Sequence, residues 1–166
     1  MRSEIHTVTG NRPLAASDLS RLTVTAACVN EAIRLLPPFV SMFIRTAADE
    51  TDMLGYRLPK GTSVIVPTAS IQRDGRVWDD AHSFRPQRFL DADAPTRSHF
   101  IPWGIGRQSC IGRSVAEPFV RVFVATVVAR YELHVADDLN HDVESQAGVP
   151  FFPGGLRLRL VRATIE

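Results

Sequence analysis

Long apolar runs, cysteine, lysine and excess charge of either sign are all scarce in this chain. No stretch of its 166 residues approaches the roughly eighteen consecutive apolar residues that a membrane-spanning helix needs, and Met1-Arg2-Ser3-Glu4-Ile5-His6 opens without an apolar core. The reading is a soluble chain. A formal net charge of +1 offers no polybasic field for nucleic acid or anionic lipid. The two cysteines, Cys28 and Cys110, stand far apart and outside any CxxC pair, so neither a disulfide framework nor a zinc site is suggested, and a reducing compartment fits. Of nineteen Lys and Arg residues only Lys60 is lysine, a bias that tracks GC-rich genomes. The expectation is a cytoplasmic, bacterial protein. The five histidines, His6, His82, His99, His134 and His141, show no ligand spacing and read as surface or internally satisfied residues.

The residues that are present outline one domain or part of one: 45% are apolar, enough for a single core. Residues 1–21 are polar, with a turn at Pro13 and Ser17-Asp18 as caps for a short helix before Leu19. Thr23 to Leu36 reads as the first long helix, stopped by Pro37-Pro38 because proline disfavours helical geometry in the residue before it. Val40 to Ala47, a turn at Tyr56-Arg57-Leu58-Pro59-Lys60-Gly61, and Thr62 to Pro67 suggest a small sheet of two or more strands. Residues 70–102 lack periodicity and predict a long irregular segment with short helical turns, a kind of loop that tends to be functional. Arg113 to Tyr131 has apolar residues at helical spacing and reads as the second long helix. Gly148-Val149-Pro150-Phe151-Phe152-Pro153-Gly154-Gly155, followed by alternating Leu156-Arg157-Leu158-Arg159-Leu160, predicts a β-hairpin with a half-buried last strand.

Three constellations carry possible chemistry. Glu31 and Arg34 are neighbours on one helix face; alone they read as a solvated surface pair, as most such pairs are. Phe84-Arg85-Pro86-Gln87-Arg88-Phe89, after Arg73-Asp74 and Trp78-Asp79-Asp80, adds Arg88, and one carboxylate can accept from two planar guanidinium forks. Trp103-Gly104-Ile105-Gly106-Arg107-Gln108-Ser109-Cys110-Ile111-Gly112 places a cysteine among glycines, which permit positive φ and close approach to a flat ligand. The helix that follows directs its unpaired N–H groups toward the sulfur and favours a thiolate. An inert, buried cysteine in a glycine turn is the competing reading.

In order, these stretches resemble the cytochrome P450 family over essentially the whole chain: a Glu-x-x-Arg helix, a Pro-Pro stop, Leu-Pro-Lys-Gly-Thr, Arg-Asp, Phe-x-Pro-x-Arg-Phe, and aromatic-Gly-x-Gly-x-x-x-Cys-x-Gly. The resemblance implies a mainly α fold with a small β-sheet. Residues 1–166 would form the C-terminal, haem-binding portion of the P450 domain rather than an autonomous one. It implies haem as cofactor and Cys110 as catalytic thiolate and iron ligand. Glu31, Arg34 and Arg88 match a buried ion triad. Gly106 and Gly112 match the glycines that let the loop pass under the ring, and Gly104 opens the same motif. Trp103 stands where the family usually has phenylalanine, with an indole able to donate toward the thiolate or a carbonyl. Arg45 matches an arginine that pairs with a haem propionate. Gln108 departs from the usual arginine or histidine and can donate a hydrogen bond without neutralising a carboxylate. Arg107 would point the other way if the loop is extended there.

Pro118 departs too, and implies that the second helix either starts later or kinks. Cys28 reads as plain helix packing. Phe39 to Ile44 and Val149 to Phe152 fall where relatives line the substrate pocket, and read equally as core. The full-length relative would be a monooxygenase that takes electrons from a ferredoxin or flavoprotein and inserts one oxygen atom into a small organic substrate. Its oxygen-activating helix is not among these residues, so this chain alone is expected to be inactive. Arg107, Arg113 and Arg121 could dock an acidic donor or form a solvated face. Two further readings remain: a non-catalytic remnant with weak or no haem binding, and a haem-thiolate isomerase or peroxygenase, since some relatives with tryptophan in this loop need no electron donor.

Overall fold

The first long helix is missing a cap of its own, and that shapes the architecture around it. The computed structural model describes residues 1–10, 12–91, 98–135, 144–146, 149–151 and 157–163. Helix α2 spans Thr23–Leu35, one residue short of the expected end, and Leu22 in front of it has no side chain able to accept from the first amides. The carboxylate of Glu4 does so instead, accepting from the backbone N–H groups of Val24 and Thr25 at 2.7 and 2.9 Å. Glu4 lies on a helix that the polarity of residues 1–21 did not reveal, α1, Arg2–Thr9. At the other end of α2 the Arg73 guanidinium donates to the Leu35 carbonyl, and Pro37-Pro38 follow. Opposite charges thus meet the two ends of the α2 dipole.

The short helix expected at Leu19 is a 3-10 helix, Ala16–Arg21. Asp18 sits inside it, at the third helical position, and reaches back to the residue that precedes the helix. Its carboxylate accepts from the Ala15 N–H at 2.9 Å and takes a bidentate pair of bonds from Arg12 at 2.7 and 2.6 Å. These bonds hold the Asp18 carboxyl down at about 2. Helix α4, Arg113–Arg130, begins where expected in spite of Pro118, which overturns the idea of a later start. The proline has no N–H to return to the Ser114 carbonyl, so the helix runs through with one bond fewer. A core of Ile5, Leu22 and Ala125 joins α1 and α4, with Val8, Leu14, Leu19, Val128 and Ala129 packed around it.

Among the described residues the β structure consists of four separate two-stranded pairs. Strand β1, Arg45–Thr46, pairs with β4, Ser63–Val64, as the predicted small sheet required. Between them, however, β2, Thr51–Met53, and β3, Tyr56–Leu58, form a hairpin. The residues read as a turn from Tyr56 therefore begin with a strand. The true turn is Leu54-Gly55, both at positive φ, 55° and 85°, the geometry that matches strand twist in a two-residue hairpin.

The C-terminal expectation also changes. Strand β8, Leu158–Arg162, pairs with β5, Tyr131–Val135, directly after α4. It does not pair with the Val149–Phe151 segment, β7, which pairs with β6, Glu144–Gln146. Strand β8 is exposed along its length rather than half-buried. Gly148, the glycines Gly154-Gly155, Phe152 and His141 lie outside the described residues. Residues 70–91 are irregular as expected, with short helical turns at Thr68–Ile71, α3, and Pro86–Phe89. Among the described residues no helix is long and apolar enough to cross a membrane.

Candidate functional site

Two adjoining structures, a buried ion cluster and a cysteine loop, concentrate the chemistry. Glu31 and Arg34 are both 0% exposed, which excludes the surface-pair reading. They meet through two bonds, Arg34 Nε to Oε2 at 2.7 Å and Nη2 to Oε1 at 2.9 Å. Arg88, from the 3-10 helix at Pro86–Phe89, adds a bond from Nε to Oε1 at 3.0 Å, so all three predicted residues come together. One carboxylate cannot neutralise two guanidinium groups, and main-chain carbonyls take the excess. Arg34 donates through Nη1 to the carbonyls of Gln72 and Ala81 at 2.6 and 2.7 Å, and Arg88 donates to that of Asp79 at 2.8 Å. Burial pushes the Glu31 carboxyl up, but the bonds from Arg34, the Arg85 N–H and Arg88 outweigh it and hold the carboxyl below the usual glutamate range.

Sequence reasoning named Trp78 but did not foresee its part. It is fully buried, donates from Nε1 to the Ile71 carbonyl at 3.1 Å, and lies under the Arg34 guanidinium at 5.1 Å. Its ring meets Phe89 at 6.1 Å, and Phe89 meets Phe100 at 4.8 Å edge-on. Phe100 stands three residues before Trp103. The aromatic row therefore links the ion cluster to the start of the cysteine loop, and only the uncommon density of aromatics in that stretch hinted at it.

The loop is closed by a short bond from the Cys110 N–H to the Trp103 carbonyl, 2.6 Å, and by a 3-10 helix at Gly106–Gln108. Because residues 106–108 are helical, the extended alternation that would send Arg107 away from Gln108 does not apply. Cys110 is exposed in this chain. Among the described residues the Trp103 indole makes no hydrogen bond, so its expected donation to the sulfur is not found; its carbonyl is the group that meets Cys110.

The glycines divide differently from expectation. Gly104 and Gly106 have φ of 77° and 59°. Gly112 has an ordinary φ of −80°, and a Cβ there would sit 3.7 Å from Cys110 Sγ, normal contact. A Cβ on Gly104 would fall 2.7 Å from the Gln108 carbonyl oxygen. Gly104→Ala is therefore expected to cost roughly 1 to 3 kcal/mol from backbone strain alone and to lower the thermal midpoint, whereas Gly112→Ala leaves it nearly unchanged. Equal midpoints in the two variants would contradict this assignment.

Of the remaining predicted residues, Arg45 is exposed on β1, and its side chain has no hydrogen-bond or ion-pair partner among the described residues. Gln108 is exposed as well. Arg113 and Arg121 both engage Glu117, Arg113 at 3.0 Å, so Arg107 is the one of the three proposed docking arginines without a partner among the described residues. Phe39, Phe43 and Ile44 are 57, 73 and 61% exposed in this chain. Val115, Phe119 and Phe123 recur at every fourth residue of α4 and are also exposed.

A flat, apolar macrocycle bearing an iron and two carboxylates can be held by a thiolate, a close-approaching backbone, apolar surface and a cation. An exposed thiol on a constrained glycine loop, uncovered apolar side chains and the unpaired Arg45 are consistent with such a group. Among the described residues no cluster of three or more His, Cys, Asp or Glu is placed to hold a bare metal ion.

Comparison with known proteins points the same way. A model of the family described as Cytochrome P450 matches residues 1–156. Pentalenene oxygenase of Streptomyces avermitilis is 34% identical over 163 residues, 97% of this chain and 36% of that protein. Corytuberine synthase of Coptis japonica is 35% identical over 135 residues, 80% of this chain and 28% of that protein. A zebrafish cytochrome P450 solved with abiraterone superposes with a TM-score of 0.85 at 27% identity, covering 98% of this chain and 39% of that one. The chain thus spans about a third of the length of the relatives it matches.

Proposed function

The chain belongs to the cytochrome P450 family, and on that premise we propose that it is the thiolate-bearing part of a haem monooxygenase, with Cys110 as the ligand to iron. The observation that carries the reading is the exposed Cys110 sulfur on a loop closed by its own N–H and turned by Gly104 and Gly106. Family membership implies haem as the cofactor. When bound, haem supplies a redox-active iron able to activate oxygen, and a thiolate ligand pushes electron density toward it.

The chain's own residues hold, orient and charge-match. The bond from the Cys110 N–H to Trp103 fixes the direction of the sulfur, and the start of α4 three residues later lends it a positive dipole end. Arg45 would hold one propionate. Gln108 would donate to the other without neutralising it, so Arg45 would carry more of the charge recognition than in relatives with two cations. The triad of Glu31, Arg34 and Arg88 holds the meander against α2, and the Trp78–Phe89–Phe100 row passes that order to the loop. The exposed Phe39, Phe43 and Ile44 face the organic substrate. Turnover belongs to a larger assembly that includes the parts of the family domain beyond residues 1–166, with electrons from a ferredoxin or flavoprotein.

The test is the reduced, CO-treated spectrum of the chain after haem loading. A red-shifted Soret band of a thiolate haem is expected. A band at the unshifted position, or no haem uptake, overturns the reading in favour of a non-catalytic remnant. Arg45→Ala is expected to raise the haem dissociation constant roughly ten-fold, the equivalent of one charge-assisted hydrogen bond; titration with haem measures it, and an unchanged constant removes Arg45 from the site. One observation favours a second reading, a haem-thiolate isomerase or peroxygenase that needs no electron donor: Arg113 and Arg121 share the Glu117 carboxylate, which lowers the positive charge they offer an acidic partner.

A further inference from the structure

We propose that Glu4 is a positioning residue for the Cys110 loop, acting through α1 as a strut between the helix that bears the triad and the helix that follows the cysteine. The proposal rests on the haem-thiolate reading for its consequence, but its geometry stands apart from it.

Glu4 receives four hydrogen bonds at the start of α2: from Thr23 Oγ1 at 3.2 Å, the Val24 N–H at 2.7 Å, the Thr25 N–H at 2.9 Å and Thr25 Oγ1 at 2.8 Å. Thr25 is completely buried. The helix offers no side-chain cap of its own, so this carboxylate from another element is what meets its first amides. The same short helix also grips α4. Arg2, two residues before Glu4, donates from Nε to the Val128 carbonyl at 3.0 Å and from Nη2 to the Tyr131 carbonyl at 2.8 Å. Those carbonyls lie at the C-terminal end of α4, where a cation also meets the dipole. Ile5, next to Glu4, packs into the cluster with Ala125.

The two grips give one mechanical path. Glu31 and Arg34 lie on α2, α2 is held by Glu4, α1 holds α4, and α4 begins three residues after Cys110. A second contact runs the same way. The 3-10 helix between α1 and α2 supplies Ala16, Leu19 and Ser20 to a groove of about 680 Å³ whose other wall includes Cys110 and Arg113. A shift of α1 against α2 therefore changes both the angle of α4 and the wall facing the sulfur. Metal and cofactor sites lose function when their supporting residues let the ligand wander by about 0.5 Å.

The experiment uses the full chain and two readouts. In the haem-free protein, the rate at which a neutral alkylating agent modifies Cys110, followed by peptide mapping so that Cys28 is counted separately, is expected to change at least roughly two-fold in Glu4→Ala. In the haem-loaded protein, the fraction of haem giving the red-shifted CO band is expected to fall by a similar factor, with Glu4→Gln intermediate because it keeps one acceptor oxygen but loses the other and the charge. If Glu4→Ala does not fold, Glu4→Gln and Arg2→Gln are read in the same way. Variants that melt at lower temperature yet keep the parental alkylation rate and band fraction would overturn the proposal and leave Glu4 a purely stabilising cap. A parent with no red-shifted band but a changed alkylation rate in Glu4→Ala would overturn the haem-thiolate reading and uphold the strut.

Discussion

Glu31→Ala is expected to cost roughly 3 to 5 kcal/mol of folding stability, because it leaves two buried guanidinium groups facing one another without their shared carboxylate. Arg34 is fully buried, and the Arg88 side chain is 7% exposed, so water cannot replace the lost oxygens. Against a total stability of about 5 to 15 kcal/mol for a typical protein, this is a large share. Urea denaturation should show a markedly lower midpoint and haem loading should fail, since the row from Trp78 to Phe100 loses its anchor. Arg88→Ala should do less harm, as Arg34 and Glu31 keep their two mutual bonds. A Glu31→Ala midpoint within experimental error of the parent would mean that the cluster is not what holds the meander.

Acid should act on the same group. The folded-state Glu31 carboxyl lies below its unfolded value, so its contribution is complete above the ordinary glutamate range and is lost as pH falls through the depressed folded value. Asp18, held at about 2 by Arg12 and the Ala15 N–H, loses its contribution in the same direction. The chain should therefore unfold in acid more readily than at neutral pH, and Glu31→Ala should flatten that dependence.

Cys110→Ser is the second large effect, and it separates ligation from folding. The side chain is exposed, serine has nearly the same size, and the bond that closes the loop comes from the backbone N–H. Stability should change by no more than about 0.5 kcal/mol. A neutral hydroxyl is a poor ligand for haem iron and cannot push electron density as a thiolate does. The red-shifted CO band should vanish and any monooxygenase activity of the complete protein should fall to background. Persistence of the band in a variant whose melting curve matches the parent would remove Cys110 as the ligand.

Much of the outline was legible along the chain. Pro37-Pro38 ended α2 within one residue of expectation, because a proline restricts its own backbone and that of its neighbour. The order of Glu31, Arg34, Arg88 and Cys110 identified the family, and the cysteine loop stood out by its glycines. These signals are local, in that a residue and the few around it decide the backbone they can adopt.

What the tertiary structure alone decided involves groups far apart in sequence. Glu31 and Arg34 could have been a solvated pair; carbonyls 38 and 47 residues from Arg34 made them a buried cluster. The cap on α2 comes from Glu4, about twenty residues earlier, so no motif at the helix start could announce it. Strand β8 pairs with β5 instead of its sequence neighbour, because pairing depends on which edge α4 presents. In the loop, sequence drew attention to Gly112, whereas the fold requires glycine at Gly104, where the Gln108 carbonyl returns to within 2.7 Å of a would-be Cβ. Sequence thus determined the family, the long helices and the identity of the candidate ligand. The fold determined which charges are buried, which glycine is indispensable and what braces the cysteine, since hydrogen bonds and close contacts depend on distance in space, which separation along the chain does not report.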